Sequence, residues 1–306
     1  MSNKNKKYLV IILGPTGVGK TDLSIDIAKE FSTEIISCDS RQFYKELNIG
    51  TAVPSTEQLQ EVKHHFIQHL SIKDYYNVSN FEQDSLNLLD ELFKTKDVVI
   101  MTGGSMMFID AICKGIDFMP DIDIEIREEL KQRLEKEGIE PLRFELKRLD
   151  PDYYNEVDLK NGKRIIRALE VCYQTGKTFT SFRKHTPIKR DFEIIKLGLN
   201  IEREKLYERI NLRVDKMIEA GLIDEAKENL KFREYNSLNT VGYKELFQYF
   251  DGEISQEKAI ELIKRNTRHY ARRQMSWFNR DEQIKWFEPS EKDAVVSYIK
   301  TVLSHK

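Results

Sequence analysis

Tyr8-Leu9-Val10-Ile11-Ile12-Leu13-Gly14-Pro15-Thr16-Gly17-Val18-Gly19-Lys20-Thr21 is the stretch that decides the fold. Its first six residues are apolar without polar alternation, the pattern of a strand buried on both faces of a parallel sheet. Its last eight match G-x-x-x-x-G-K-[ST] at every fixed position. From Thr21 to Phe31 the apolar residues Leu23, Ile27, Ala28 and Phe31 recur with a helical period. Motif and context agree, which sets this stretch apart from an ordinary glycine-rich turn. Gly14, Pro15, Thr16, Gly17, Val18, Gly19, Lys20 and Thr21 would wrap an anion, with backbone N–H groups aimed at one centre and a helix dipole behind them. Lys20 adds a full charge, and the Thr21 hydroxyl a ligand for Mg²⁺. The motif implies a di- or triphosphate and does not say which.

Working outward, Glu34–Cys38 reads as a second buried strand and Asp97–Met101 as a third. Ser79 is expected to cap the helix before that third strand, with Phe81, Leu88, Leu89, Leu92 and Phe93 on its apolar side. Strands alternating with helices imply an α/β fold built on a parallel sheet. Glu193–Asn200 reads as a strand returning to that sheet, and Ile284–Phe287 as an edge strand. Helices are expected over 202–220, 222–233, 238–250 and 255–280, with Gly221 as a C-cap and Ser255 as an N-cap. The expected architecture is a P-loop-type parallel-sheet core with a mostly helical insertion domain and a helical C-terminal part. The core domain would comprise 1–116 and 193–306, and the insertion 117–192.

The chain has 306 residues, so two domains are the prior at roughly 150 residues each. Charged residues make up 33%, which argues against a membrane protein, and no apolar stretch approaches the ~18 residues of a span. The N-terminal apolar run, Tyr8 to Leu13, is shorter than a signal-peptide core of about 7–15 residues. Cys38, Cys113 and Cys172 are odd in number and widely spaced, so neither a disulfide framework nor a zinc site is expected. A cytoplasmic monomer is the expectation.

Forty-nine basic against 51 acidic residues give a net charge of −2, which excludes a globally basic nucleic-acid binder. That average hides patches. Asp117–Asp158 holds fourteen acidic and seven basic residues. Lys160–Arg190 holds nine basic residues, among them Lys163, Arg164, Arg167, Lys177, Arg183, Lys184, Lys189 and Arg190, and one acid, Glu170. Residues 263–280 carry Lys264, Arg265, Arg268, Arg272, Arg273 and Arg280 and no acid. Lys264, Arg268 and Arg272 share one helix face by their i, i+4, i+8 spacing. A solvated face normally mixes signs, so both basic tracts read as contacts to RNA phosphates. Trp277 and Phe278 read as packing groups rather than base-stacking platforms.

An ordinary nucleotide hydrolase needs an acid for its Mg²⁺ at the end of a strand near the loop. The strand at 97–101 runs into Thr102-Gly103-Gly104-Ser105 instead. Asp39, in Ile35-Ile36-Ser37-Cys38-Asp39-Ser40, is the acid at a strand's C-terminal end, where such sheets open into a ligand crevice. Position alone leaves two roles open for it, a helix cap or a catalytic group.

The blocks GPTGVGKT, ISCDSRQFYKELNIGTAVPS, HHFIQHL, MTGGSMMF, GKRIIRALEV, TVGYKEL and RHYARRQMSWF, running from 14 to 278, resemble the bacterial tRNA dimethylallyltransferase family. The resemblance implies transfer of a dimethylallyl group from dimethylallyl diphosphate to N6 of adenine 37 in the anticodon loop of tRNA, with Mg²⁺. The P-loop would then hold the donor's diphosphate, and the missing acid is accounted for because no γ-phosphoryl group moves. By the same resemblance Asp39 is the general base, Lys20 and Thr21 act on the diphosphate, and Arg213 lies near it. Arg209, one turn away from Arg213, leaves that assignment open. Asp39, Ser40, Arg41, Gln42, Ser105, Arg127 and Gly162, Lys163, Arg164, Ile165, Ile166 would lie along the tRNA path. Arg167, Arg268, Arg272 and Arg273 join them from the basic tracts. The insertion would clasp the anticodon stem-loop. Ser105 stands where the family commonly has threonine, and Phe108 where it often has tyrosine.

His64, His65 and His69 invite a metal reading, but only His65 and His69 have helical spacing and no Cys or acid motif joins them. The resemblance favours a hydrogen-bonding role for that loop. Two rivals remain. A transferase acting on free adenine nucleotides would have no use for the basic tracts. A nucleotide-switched RNA-binding protein would need the missing acid.

Overall fold

The computed structural model describes residues 6–117, 119–120, 122–183 and 188–304. Lys184 of the basic tract lies outside them. The chain divides into two compact units, one of Met1–Cys113 with Arg190–Lys306 and one of Lys114–Lys189.

The larger unit is built on six parallel strands in the order β3-β2-β4-β1-β5-β6. These are β1 (Tyr8–Leu13), β2 (Ile35–Ser37), β3 (His64–His65), β4 (Val98–Gly103), β5 (Glu193–Leu199) and β6 (Lys285–Phe287). β1 is central, between β4 and β5, and every one of its side chains is buried. Leu9, Ile11 and Leu13 enter one core, and Tyr8, Val10 and Ile12 the other. Two buried faces explain the unbroken apolar run, since each fully buried aliphatic side chain contributes roughly 1.5–3 kcal/mol. Helices α1 (Lys20–Glu30), α2 (Thr56–Glu61), α3 (Val78–Leu92) and α4 (Met106–Lys114) fall between the early strands.

The smaller unit is helical: α5 (Ile124–Glu137), α6 (Glu140–Leu149), α7 (Pro151–Glu156) and α8 (Gly162–Thr175). Leu130, Leu142, Leu146, Ile165 and Leu169 close its own core. After β5 come α9 (Arg203–Glu219), α10 (Leu222–Glu228), α11 (Tyr243–Phe250), α12 (Gln256–Phe278) and, after β6, α13 (Lys292–Ser304).

Several local expectations change. Asn77, not Ser79, caps α3: its side chain accepts from Ser79 N and Asn80 N, while Asn80 returns a bond to Asn77 N. That reciprocal box starts the helix two residues early. β3 is a two-residue strand with no apolar alternation to reveal it. His65 and His69 are therefore not one turn apart on a helix. The helix expected at 222–233 ends at Glu228 and continues as a 3₁₀ turn, Leu230–Phe232. That expected at 238–250 begins only at Tyr243, where Glu245 accepts from Gly242 N. Ser255 caps α12 as expected. Among the described residues no helix is long and apolar enough to cross a membrane.

Candidate active site

The register brings the strand ends to one level. Leu13 pairs with Gly103 and Gly198, and Ser37 with Thr102. The loop after β1, Cys38-Asp39 after β2 and Gly104-Ser105 after β4 therefore emerge side by side. Connections leave β1 and β4 in opposite directions, and at such a switch point a parallel sheet opens a crevice for ligands.

The loop Gly14–Thr21 is held from three sides. Gly14 has φ +149°, and a Cβ there would lie 2.6 Å from the Leu199 carbonyl oxygen, a backbone group that cannot give way. Gly19 precedes α1 in the left-handed region and offers no side-chain cap, which leaves the first-turn N–H groups to an anion. The Lys20 Nζ donates to Gly14 O at 3.0 Å and Pro15 O at 2.8 Å, so the ammonium folds over the loop. On the third side is Gln274 of α12. Its Oε1 accepts from Thr16 N at 2.9 Å and its Nε2 donates to Gly104 O at 2.8 Å. Gln274 is fully buried, and a Cβ on Gly104 would meet its Nε2 at 2.2 Å. One neutral amide thus ties the loop after β1 to the loop after β4.

Charge concentrates over this cradle. Burial pulls the Lys20 ammonium down to about 8, with Asp39 opposing the fall and Arg213 adding to it. Burial likewise lowers Arg213, again opposed by Asp39. Burial raises the Tyr270 phenol, and the nearby Asp39 raises it further. Asp39, Lys20, Arg213 and Tyr270 therefore share one electrostatic neighbourhood. Arg209 is exposed beside the loop, its Nη2 3.3 Å from where a Cβ on Gly19 would stand. Arg213 is half-buried and Arg209 exposed, so the two arginines differ in their access to solvent.

Asp39 starts no helix. Its Oδ1 accepts from Arg41 N at 3.0 Å and its carbonyl from Gln42 N at 3.1 Å, which pins the turn that carries it. Ser105 Oγ accepts from Ser40 N at 2.9 Å, so the hydroxyl that replaces threonine serves this turn. Arg41 Nη1 donates to Asn236 O and Ser237 O. Gln42 Nε2 donates to Thr51 O and Ala52 O. Phe108 stacks on Phe81 at 4.8 Å and Phe43 at 5.7 Å, a wholly aromatic setting. His69 lies against Phe43, Phe66 and Tyr76, while His65 Nε2 is 2.7 Å from Glu34 Oε2. Among the described residues no cluster of three His, Cys, Asp or Glu could hold a metal.

The basic residues divide. On α12, Arg272 and Arg273 are exposed, whereas Arg268 donates to Asn211 Oδ1 at 2.6 Å and stacks over Tyr207. Lys264 is held by Asp215 at 2.5 Å. Trp277 is part-exposed with its Nε1 on Asp110, and Phe278 is buried. In the smaller unit Lys163 and Arg164 are exposed on the first turn of α8, after Gly162. Ile165 and Ile166 are buried in that unit's core, so their side chains hold the helix and do not reach outward. Glu170 is buried and takes Arg127 through Nε at 2.8 Å and Arg167 through Nη1 at 3.1 Å.

Gln274, which bridges the loops after β1 and β4, carries no mark of that role in the sequence motifs. Its signal is positional: it stands in the apolar register of α12, with Ala271 and Phe278 buried beside it.

A parallel sheet whose central strand feeds a phosphate loop, with an acid two strand ends away, defines a P-loop α/β protein built to hold a diphosphate beside a second substrate. The chain belongs to the IPP transferase family, whose model matches residues 42–281. It is 54% identical over 292 residues to tRNA dimethylallyltransferase 1 of Bacteroides thetaiotaomicron, covering 95% of each chain. It is 55% identical to tRNA dimethylallyltransferase 2 of Parabacteroides distasonis, over 95% of this chain and 97% of that one. Among solved structures it resembles the tRNA isopentenylpyrophosphate transferase of Bacillus halodurans, with TM-score 0.72, 33% identity and 97% of each chain covered. A eukaryotic dimethylallyltransferase acting on tRNA superposes with TM-score 0.76 at 26% identity, over 96% of this chain and 77% of that one.

Proposed function

We propose that this chain transfers the dimethylallyl group of dimethylallyl diphosphate to tRNA, with N6 of adenine 37 in the anticodon loop as acceptor and diphosphate as leaving group. The observation that carries the reading is the shared crevice: the cradle of Gly14–Thr21 and the Asp39 turn open at the same end of the sheet, on either side of β4, with Lys20 and Arg213 in the field of Asp39. The names of its relatives point the same way.

The exocyclic N6 is a poor nucleophile because its lone pair is delocalised into the purine. Asp39 takes its proton as the N–C bond forms, an assistance worth roughly 10²–10⁴ in rate. As the C–O bond breaks, negative charge gathers on the departing diphosphate. Lys20, Arg213 and the N–H groups of the loop and α1 meet that charge, with Arg209 beside Gly19. The donor set suits Mg²⁺, which takes one or two protein oxygens and completes its shell with phosphate oxygens and water. Thr21 would supply such an oxygen, and the ion, when bound, would add Lewis-acid stabilisation of the diphosphate. The tRNA is held mainly by phosphate contacts: Arg272 and Arg273 on the larger unit, Lys163 and Arg164 on the smaller. The anticodon loop is single-stranded, so turning its target base into a pocket is inexpensive.

Asp39→Ala is expected to abolish prenyl transfer while binding of dimethylallyl diphosphate, followed by calorimetry, survives. Retention of more than about a tenth of wild-type turnover removes Asp39 as the general base. In cells, deletion of the gene is expected to eliminate prenylated adenosine from digested tRNA.

A further inference from the structure

Glu225, on α10, lies outside the cradle and was not among the residues singled out by the sequence. Its Oε2 accepts from Asn48 N at 2.9 Å and Ile49 N at 2.7 Å. Its Oε1 accepts from Gly50 N at 2.9 Å and from the Tyr243 hydroxyl at 2.6 Å. Three consecutive backbone N–H groups aimed at one carboxylate form an anion nest, and here the protein fills it with its own side chain. Tyr243 is fully buried, and burial together with Glu225 pushes its phenol upward, so it stays a donor.

The nest leads directly to the Asp39 turn. Residues 48–50 continue into Thr51 and Ala52, whose carbonyls accept from Gln42 Nε2 at 3.2 and 2.9 Å. Gln42 Oε1 accepts from Ser37 Oγ at 3.2 Å, and Gln42 N donates to Asp39 O. The same stretch of chain that carries Glu225 grips this region twice more. Asn229 Nδ2 donates to Glu46 O at 3.3 Å, and the carbonyls of Asn236 and Ser237 hold the Arg41 guanidinium. The phosphate loop is anchored elsewhere, on Gln274 and against Leu199.

We propose that Glu225 is a positioning residue for the acceptor substrate: by filling the nest at 48–50 it fixes Gln42 and the Asp39 turn in the geometry that receives the tRNA base. This rests on the reading of Asp39–Gln42 as the acceptor segment. The bonds from the Glu225 carboxylate to backbone all run to residues 48–50, on the acceptor side, so its effect falls on that substrate.

The experiment is steady-state kinetics on E225A, E225Q and Y243F with tRNA and dimethylallyl diphosphate varied in turn. E225A is expected to raise KM for tRNA about tenfold and to leave KM for the donor within about twofold of wild type. E225Q and Y243F, which keep part of the nest filled, give the same split at smaller size and carry the test if E225A does not fold. A fraction of misfolded enzyme lowers Vmax and leaves both KM values unmoved, so a purely structural role cannot produce the split. Added acetate is expected to re-enter the E225A nest and bring the tRNA KM back down beyond a chloride control of equal ionic strength. A tRNA KM within twofold of wild type, an equal rise in both KM values, or no acetate effect overturns the proposal. If Asp39→Ala retains turnover, the acceptor-site reading itself fails, and the two failures are distinguishable.

Discussion

Gln274 shows how much one neutral side chain can carry. Its amide satisfies Thr16 N and Gly104 O together, and both lie in loops that border the crevice. Gln274→Met keeps the volume and removes both bonds, and each buried group left unpaired costs about 1–3 kcal/mol. Urea unfolding is therefore expected to lose about 2–6 kcal/mol, with a rise in donor KM. An unchanged unfolding midpoint would show that the two loops do not depend on this amide. Most of the phosphate cradle was legible residue by residue, because its chemistry is local: glycines, a lysine and a hydroxyl at fixed spacing. Gln274 and Glu225 were not, because their backbone partners lie 170–258 residues away. Arg209 and Arg213 could be told apart only by exposure, a property that one turn of sequence spacing does not encode.

At the scale of elements, the strands and long helices follow from apolar period, and the differences lie at their ends. Asn77 won the α3 cap because Asn80 returns the bond, a reciprocity that a single-residue preference for serine overlooks. The smaller unit makes the corresponding point about charge. Arg127 and Arg167 belong by residue type to a basic surface, yet Glu170 of α8 engages both from a buried position. Arg127 thereby joins α5 to α8. Glu170→Gln takes away the charge between two guanidinium groups, and breaking a buried pair from one side costs about 3–5 kcal/mol. For a unit of this size that corresponds to a melting transition lowered by more than about 10 °C, to be read by scanning calorimetry. A transition within a few degrees of wild type would mean that water already screens this triad.

For the whole molecule, the net charge of −2 conceals its distribution. Replacing Arg164, Arg167, Arg268 and Arg272 by glutamine is expected to weaken tRNA binding and to flatten its salt dependence, by roughly one unit of log–log slope for each phosphate no longer engaged. Filter-binding titrations across a salt series read both. Arg164 and Arg272, which are exposed, should account for most of the change, and Arg167 and Arg268, which hold Glu170 and Asn211, for less. Identical salt slopes in the quadruple variant and wild type would remove the reading of these residues as phosphate ligands. By itself the sequence determined the parallel sheet, the phosphate loop, the candidate acid and the segregation of charge, since each is written in short-range pattern or composition. The tertiary structure alone decided which polar groups meet: Gln274 between two loops, Glu225 in its nest, Glu170 between two arginines. Those choices depend on segments brought together only when the sheet and helices pack, and a buried polar group takes its role from the partner it finds there.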